Sequence, residues 1–408
     1  MAVSFAGLWE ALVAVGRDPV TGGYRRFSWT AQDTACRAWF TRAAAERGLR
    51  TGTDRNGNLW AWWDVPGAPG GQAVVTGSHL DSVPDGGAFD GPLGVVSAFA
   101  AIDLLRERGL VPVRPLAVAA FTEEEGGRFG VACLGSRLLA GTIEPDAARA
   151  LTDSGGISLA EAMTAAGHDP AGIGPDTELL GRVSAYVELH IEQGRWLVSM
   201  DAAVGIGQRI WPHGRWRLVF TGQPDHAGTA TLAGRHDPML PFAATVLAAR
   251  QAAVQEGALA TVGKVAAEPG AVNAVSARVS AWLDARGPDE QALAAVVEQV
   301  LAAARSAAAA QGVGLEVVQE SATPAVDFDL GLRSRLATAL GDRGIPAPLA
   351  ATGAGHDAGV LAARVPTAML FVRNPTGVSH SPAEHAERAD CEAGVVALAA
   401  VLEDLACR

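Results

Sequence analysis

Two side chains able to bind a divalent metal, His79 and Asp90, lie in one glycine-rich stretch, residues 77–94. The apolar run 73–76 before it predicts a buried strand, and the apolar spacing over 95–105 predicts a helix. In open α/β sheets, ligands bind where strands end and such loops begin. Neutral imidazole and carboxylate are ligands for zinc and similar ions. Taken alone, the stretch fits a metal site or an ordinary polar surface loop.

Asp81 stands two residues after His79. Its carboxylate could accept the second ring N–H of this histidine and so orient the ring, as carboxylates behind metal ligands do. Four glycines would let the loop fold tightly about a centre, at positions 86, 87, 91 and 94. We therefore expect Asp81 to act behind the ligands.

Two further strands are predicted to deliver acidic and imidazole groups. The buried strand 115–121 leads directly into three consecutive glutamates at 123–125, for which a solvated charge run is the alternative interpretation. The alternating segment 185–194 places three polar residues on one side of a strand, Glu188, His190 and Glu192. A histidine on a strand is more often a satisfied core residue than a ligand, so this segment too leaves two interpretations.

Two late loops, 353–358 and 377–385, add His356 and His380. Together the loops can supply a two-metal centre, which needs one carboxylate shared by both ions and one or two further ligands on each. Asp90 would bridge, with the remaining ligands divided between the ions as His79 and His190 on one, Glu125 and His380 on the other. Glu124 would stay off the metals and accept a proton from water as general base.

A chain of 408 residues is expected to form two domains. The order of the predicted strands and helices indicates where the domains divide. Residues 208–326 show the order strand, helix, strand, strand, helix, strand, which predicts a four-stranded α+β, ferredoxin-like insert. Residues 1–207 and 327–408 then form one discontinuous α/β domain with a mixed sheet flanked by helices. A turn is predicted at 66–71, and Pro238 is predicted at the first position of a helix.

Charge, hydropathy and cysteine content indicate which partners and which location to expect. The net charge of −12 argues against nucleic acid or an anionic membrane as main partner. The first fifteen residues lack a basic region, and no run of about 18 uncharged apolar residues predicts a membrane span. Four widely spaced cysteines suggest reduced thiols, so we expect a cytoplasmic protein.

Six motifs give the sequence a family resemblance, namely GSHLDS (77–82), EEEGGRF (123–129), ELHIEQG (188–194), DHAGT (225–229), GAGHDA (353–358) and VSHSPAE (378–384). With these, the sequence resembles the dinuclear metallohydrolases of the aminoacylase/carboxypeptidase type. Within that superfamily it is similar to the branch of allantoate amidohydrolase, N-carbamoyl-L-amino-acid hydrolase and β-ureidopropionase. The resemblance runs in order from about residue 20 to the end of the sequence.

The resemblance implies roles residue by residue. It implies two divalent metal ions, zinc or manganese, cobalt or nickel, held by His79, Asp90, Glu125, His190 and His380. It implies Glu124 as general base and acid, with Asp81 behind His79. It also implies that the insert is a lid and dimerisation domain whose His226 polarises the scissile carbonyl in the partner subunit. Substrate contacts are implied for Gln193, Gln208, Asn273, Arg286, Gly355 and His356.

The implied activity is hydrolysis of the carbamoyl C–N bond of an N-carbamoyl-L-amino acid or of allantoate, with release of ammonia and carbon dioxide. A homodimer is the implied assembly. Two other functions stay open on the same scaffold: an aminopeptidase or peptide deacylase, and a binding protein without catalysis. A binding protein would have no need of Glu124.

Overall fold

The computed structural model describes residues 5–65 and 72–408, so the turn predicted at 66–71 lies outside the described residues. The chain divides into two compact units. The first comprises Met1–Arg209 and Asp327–Arg408, and the second comprises Ile210–Val326.

The strands of both units, in chain order, are β1 Arg50–Thr53, β2 Leu59–Trp63, β3 Ala73–His79, β4 Leu116–Phe121, β5 Val183–Ile191, β6 Val204–Ile210, β7 His213–Thr221, β8 Asp225–His226, β9 Leu259–Glu268, β10 Ala274–Val275, β11 Arg278–Arg286, β12 Gly314–Thr323, β13 Val326–Asp327, β14 Leu349–Thr352 and β15 Thr367–Val372. The helices are α1 Phe5–Val13, α2 Ala31–Glu46, α3 Pro92–Glu107, α4 Leu134–Ala140, α5 Pro145–Arg149, α6 Leu159–Ala165, α7 Thr177–Gly181, α8 Trp196–Ser199, α9 Met239–Gln255, α10 Glu290–Ala310, α11 Leu330–Gly341, α12 Asp357–Leu361 and α13 Arg388–Ala406.

The first unit is built on a mixed nine-stranded sheet in the order β1-β2-β4-β3-β5-β15-β6-β13, with β14 paired to β6. Its four central strands β4, β3, β5 and β15 run parallel to one another. Flanking strands β2 and β6 run antiparallel to them. The four central strands therefore end at one edge of the sheet, where ligands bind in folds of this class. The predicted mixed α/β fold is confirmed.

Buried apolar side chains hold the helices to this sheet. Helix α3 is buried along most of its length, and α13 packs beside it through residues such as Leu398 and Leu402. Helix α3 begins at Pro92, three residues before its predicted start. Proline suits the first turn of a helix because its missing N–H would be unpaired there, and Gly91 before it adopts φ +83°.

The second unit has a four-stranded antiparallel sheet in the order β12-β7-β11-β9. One face of β7, bearing Trp216, Leu218 and Phe220, packs in a common core with α9 and α10. Helix α9 begins at Met239, so Pro238 precedes the helix and does not occupy its first position as predicted. The carboxylate of Asp237 instead accepts the Met239 N–H, which leaves proline at the boundary.

Among the described residues one helix, α10, is long and apolar enough by composition to cross a membrane, with a mean hydropathy of 1.3. Its buried face carries four small apolar side chains against the sheet of the second unit, Val296, Val300, Ala304 and Ala308. The helix therefore has a packing role in this unit.

The chain leaves the first unit after Arg209 and returns to it at Asp327. These two residues form a bidentate ion pair, with Arg209 Nε 2.8 Å from Asp327 Oδ1 and Nη2 3.0 Å from Oδ2. The two crossing points of the chain are thus adjacent.

Candidate metal centre

Strand register places the first two candidate ligands side by side. Gly77 of β3 pairs with Glu188 of β5, so His79 and His190, each two residues further on, stand level on neighbouring parallel strands. Their rings are stacked with centroids 5.8 Å apart, and both residues are buried. Any side chain at Gly91 would meet the His79 ring, since a Cβ there would lie 2.4 Å from it.

Both imidazoles direct Nε2 toward one oxygen of Asp90. The distances to Asp90 Oδ1 are 3.4 Å from His79 and 3.3 Å from His190. The opposite nitrogens, Nδ1, lie 3.2 Å from the carbonyl of Asp81 and 2.9 Å from that of Ile191. Because a carbonyl only accepts, each Nδ1 carries a proton, so each Nε2 presents a lone pair when the ring is neutral. Neither Nε2 has a hydrogen-bond partner among the described residues.

The second oxygen of Asp90 belongs to another group of possible ligands. His380 Nε2 lies 3.5 Å from Asp90 Oδ2 and 3.4 Å from Glu125 Oε2. The three ligand atoms lie within 4.8 Å of one another. The amide of Gln193 adjoins this group, with Nε2 2.7 Å from Asp90 Oδ2 and 3.4 Å from His380 Nε2. Either ligand group could hold a metal ion.

Asp81 organises the glutamate loop through its carboxylate. Its Oδ1 accepts the N–H of Glu124 and its Oδ2 that of Glu125, both at 3.1 Å. The nearest acceptor for the His79 ring is the backbone carbonyl of Asp81, since the carboxylate Oδ1 lies 3.6 Å from Nδ1. Asp81 thus fixes His79 and the two glutamates together, and its carboxylate serves mainly the latter.

The three consecutive glutamates point in different directions. Glu124 is buried, and its Oε2 lies 3.7 Å from His79 Nε2. The thiol of Cys133 donates to Glu124 Oε1 at 3.3 Å. Glu123 adopts φ +56°, an uncommon conformation for a residue with a side chain. Its carboxylate turns away to accept the N–H groups of Arg128 and Phe129, and burial raises its pKa to about 7.

The electrostatics of the group fit a cation. Burial alone would lower the pKa of His79, but carboxylates, Glu124 foremost, raise it well above its ordinary value. Burial would raise the pKa of Asp90, yet the imidazoles of His190 and His79 hold it well below the usual range. Burial raises the pKa of Glu124 and Glu125 well above theirs. Buried carboxylates in such number are stabilised by metal ions. The Nε2 atoms of His79 and His190, which have no hydrogen-bond partner among the described residues, lie beside these carboxylates. The residues present therefore fit divalent metal ions.

Four further polar residues at the centre have no counterpart among the predicted site residues: Glu188, Asp357, Ser379 and Glu384. Glu188 accepts from the Ser78 hydroxyl at 2.7 Å and from the Ala358 N–H at 2.9 Å. The Ser136 hydroxyl donates to Asp357. Glu384 accepts two backbone N–H groups near Asp90. In the sequence, Glu188 was marked only as a polar residue on the same side of its strand as His190, and the other three had no signal beyond a place inside or beside the motifs.

The other predicted substrate residues are divided between the units. Gln208 and Gly355 are exposed in the first unit. His356 is buried there, with its ring 4.5 Å from that of His190, and burial lowers its pKa well below the usual value.

His226, Asn273 and Arg286 lie in the second unit. His226 and Asn273 come together there, because β8 pairs with β10 and the Asn273 carbonyl accepts the Ala227 N–H at 2.9 Å. Arg286 ends β11 and forms an ion pair with Asp284, with Nε 2.8 Å from Oδ1.

The chain is similar to known proteins over nearly its whole length. The model of peptidase family M20/M25/M40 matches residues 75–404. The chain is 37% identical to an N-carbamoyl-L-amino acid amidohydrolase of Geobacillus stearothermophilus, covering 96% of each chain. It is 32% identical to the allantoate amidohydrolase of Escherichia coli, covering 97% of this chain and 96% of that one.

A ureidoglycolate hydrolase of Arabidopsis thaliana is also 32% identical, over 93% of this chain and 82% of its own. The fold matches a crystal structure of an amidase of the hydantoinase/carbamoylase family from Burkholderia multivorans. That match has a TM-score of 0.86 and 31% identity and covers 100% of this chain and 99% of that one. The chain therefore belongs to peptidase family M20/M25/M40, and within it to the metal-dependent amidohydrolases that cleave non-peptide carbon–nitrogen bonds.

Proposed function

We propose that the protein is a dinuclear amidohydrolase that cleaves the ureido C–N bond of N-carbamoyl-L-amino acids or of allantoate, releasing ammonia and carbon dioxide. One observation carries the dinuclear assignment. The two oxygens of Asp90 face different ligand groups, Oδ1 toward His79 and His190 and Oδ2 toward His380. A carboxylate shared in this way is the hallmark of two-metal hydrolytic sites. His, Asp and Glu ligands suit zinc, manganese, cobalt or nickel.

Metal ions bound there would polarise the ureido carbonyl and make water a stronger acid. Glu124 is the base that takes the proton from water, because Oε2 faces the ligand group while the Cys133 thiol holds Oε1. After attack on the carbamoyl carbon, Glu124 returns the proton to the leaving nitrogen. Burial of Glu124 keeps bulk water from competing for that proton.

His226 polarises the scissile carbonyl. Its Nδ1 accepts the Gly228 N–H at 3.1 Å, so the neutral ring carries its proton on Nε2 as a donor. Arg286 holds the substrate carboxylate with the planar geometry that arginine offers, and Asp284 orients its guanidinium. We assign the remaining substrate contacts to Gln193, Gln208, Asn273, Gly355 and His356.

The second unit supports a site shared between two copies. His226 and Asn273 lie beyond the Arg278 end of β11, and Arg286 lies at its other end. Eight residues of extended strand separate the two ends by roughly 26 Å at about 3.3 Å per residue. A substrate of amino-acid size cannot reach both ends, so His226 and Arg286 serve one substrate only if they come from different subunits of a homodimer.

The surface of α9 offers a contact for the second copy. Leu240, Leu247 and Val254 recur every seven residues along it and are 53%, 73% and 66% exposed. Strand β9, next to it at the edge of the sheet, exposes Leu259 and Val265. Exposed apolar side chains repeated along one helix and its neighbouring strand are typical of a protein interface. We therefore place the dimer contact on α9 and β9.

Among the ureido acids we place N-carbamoyl-L-amino acids first, because the Geobacillus relative shares the higher identity. The remaining properties of the proposal follow from composition. Cys36, Cys133, Cys391 and Cys407 are all free, which supports a cytoplasmic protein. The net charge of −12 argues against nucleic acid or an anionic membrane as the main partner.

An ammonia-release assay tests the proposal. The metal-stripped protein would be reloaded separately with zinc, manganese, cobalt or nickel. It would then be offered N-carbamoyl-L-amino acids, allantoate, N-carbamoyl-β-alanine and ureidoglycolate. We expect ammonia from an N-carbamoyl-L-amino acid or from allantoate with at least one metal. Cleavage of a dipeptide without ammonia from any ureido acid would overturn the proposal.

A further inference from the structure

Glu384 links two loops of the metal centre that are far apart in the sequence. It lies in the loop after β15, four residues beyond His380. Its Oε1 accepts the backbone N–H of Phe89 at 2.8 Å and that of Asp90 at 3.0 Å. The shared carboxylate of Asp90 thus stands on a backbone segment that is held by the loop supplying His380.

Ser379 adds a second link beside the first. Its hydroxyl lies 3.1 Å from Asp90 Oδ2 and 3.3 Å from Glu384 Oε2. Asp90 is therefore approached from the same loop twice, at its backbone by Glu384 and at its side chain by Ser379. The two contacts together restrain the backbone and the side chain of Asp90.

The loop around Asp90 is shaped to receive Glu384. A Cβ at Gly87 would lie 2.3 Å from Glu384 Oε1 and 2.5 Å from its Cβ, so only glycine leaves room for this side chain. Glu384 is itself buried, with 5% of its surface exposed. A buried carboxylate beside a second one is unfavourable unless hydrogen bonds compensate it. The two N–H groups offset part of that cost.

We propose that Glu384 is a positioning residue that holds Asp90 where both of its oxygens can meet their ligand groups. The inference rests on the proposed function in taking Asp90 and His380 as metal ligands. It predicts that losing the Glu384 contacts weakens the binding of both ions, because Asp90 is common to them. It also predicts that metal affinity depends on the length of the side chain at position 384 and not on its charge.

Three substitutions and a control test this with the metal itself as the probe. Glu384→Gln keeps an oxygen that can accept both N–H groups. Glu384→Asp keeps the charge but withdraws the oxygens by about 1.5 Å, one C–C bond. Glu384→Ala removes both. The matched control is Glu387→Ala in the same loop, where the exposed carboxylate contacts only His385 among the described residues.

Each purified full-length variant would be stripped and titrated with Zn²⁺ or Mn²⁺ at buffered free concentrations. Bound metal would be measured by mass spectrometry, and the unfolding temperature of the stripped form by calorimetry. We expect the Ala and Asp variants to need about 10- to 100-fold more free metal for half-saturation, as for other residues behind metal ligands. Glu384→Gln and Glu387→Ala should match the wild type.

Wild-type metal binding by Glu384→Asp, or a Gln variant as weak as the Asp variant, would overturn the inference. Should Glu384→Ala fail to fold, the Asp and Gln variants still decide between reach and charge. Bound metal is measured in the absence of substrate. A wild-type protein that binds two ions but hydrolyses no ureido acid would therefore refute the proposed activity and leave this inference standing.

Discussion

Gln193 donates its amide N–H to Asp90 Oδ2 over 2.7 Å, although 103 residues separate the two in the chain. Gln193 follows β5 and Asp90 follows β3, so the bond joins the ends of two neighbouring parallel strands. Asp90 also faces side chains from three other segments of the chain, His79 of β3, His190 of β5 and His380 of the loop after β15. It is the residue on which the arrangement of the centre depends.

Replacing the shared ligand should affect metal content more than replacing a terminal one. We expect Asp90→Ala to lose both ions, since each ligand group contains one of its oxygens. His79→Ala should retain the ion held by Glu125 and His380. Metal per subunit after gel filtration, measured by mass spectrometry, checks this. Equal metal content in the two variants would show that Asp90 does not bridge.

Removing the proposed base should separate catalysis from metal binding. Glu124→Gln keeps the size of the side chain but cannot take a proton at neutral pH. We expect kcat to fall by about 10²- to 10⁴-fold, the range for general bases, with both ions retained. Turnover of the proposed substrate and bound metal are measured on the same sample. Loss of metal in parallel with activity would make Glu124 a ligand.

His226 should contribute to turnover alone. We expect His226→Ala to lower kcat by roughly 100-fold or more, as the loss of an oxyanion donor does, with metal content unchanged. His236→Ala is the matched control, an exposed histidine of the same unit whose Nδ1 faces the Gln311 carbonyl. Normal turnover by His226→Ala would exclude the assigned role.

Mixing two inactive variants tests whether His226 acts across the dimer. A heterodimer of Glu124→Gln and His226→Ala subunits would contain one site with both defects and one intact site, because a two-fold interface exchanges the same residues. We expect activity to return when the two are unfolded and refolded together. Mixtures as inactive as their components would mean that His226 serves its own subunit.

The apolar stripe on α9 should govern assembly. A charge at its centre, Leu247→Asp, would be desolvated in a dimer contact, so we expect monomers and loss of activity. Leu330→Asp is the control, since Leu330 is 70% exposed on α11 of the first unit. Light scattering after gel filtration reports the mass. A persistent dimer with Leu247→Asp would place the contact elsewhere.

Local pattern was sufficient for the framework of the fold. Strand β3 begins at residue 73 and strand β4 ends at residue 121, as predicted, because apolar runs between turn residues are short-range signals. The family resemblance and the mixed sheet are confirmed. Other bounds were wrong by a few residues: β3 runs three residues past its predicted end at 76, and α3 starts three residues before its predicted start, at Pro92.

The residues behind the ligands could not be predicted in the same way. Glu384 binds N–H groups nearly 300 positions away, and Glu188 binds one at Ala358. Every residue except proline carries a backbone N–H, so a contact to such a group does not depend on residue type and leaves no pattern in the sequence. Asp81 is an example. Its position two residues after His79 suggested that its carboxylate binds the His79 ring, whereas the carboxylate accepts the N–H groups of Glu124 and Glu125, which follow β4.

The ion pair between Arg209 and Asp327 has a consequence for protein engineering. Because the chain leaves and re-enters the first unit at adjacent residues, a short turn could replace the whole of Ile210–Val326 without stretching the main sheet. All five proposed metal ligands would remain in the excised protein. Such a shortened protein would allow metal binding by the first unit to be measured without Ile210–Val326.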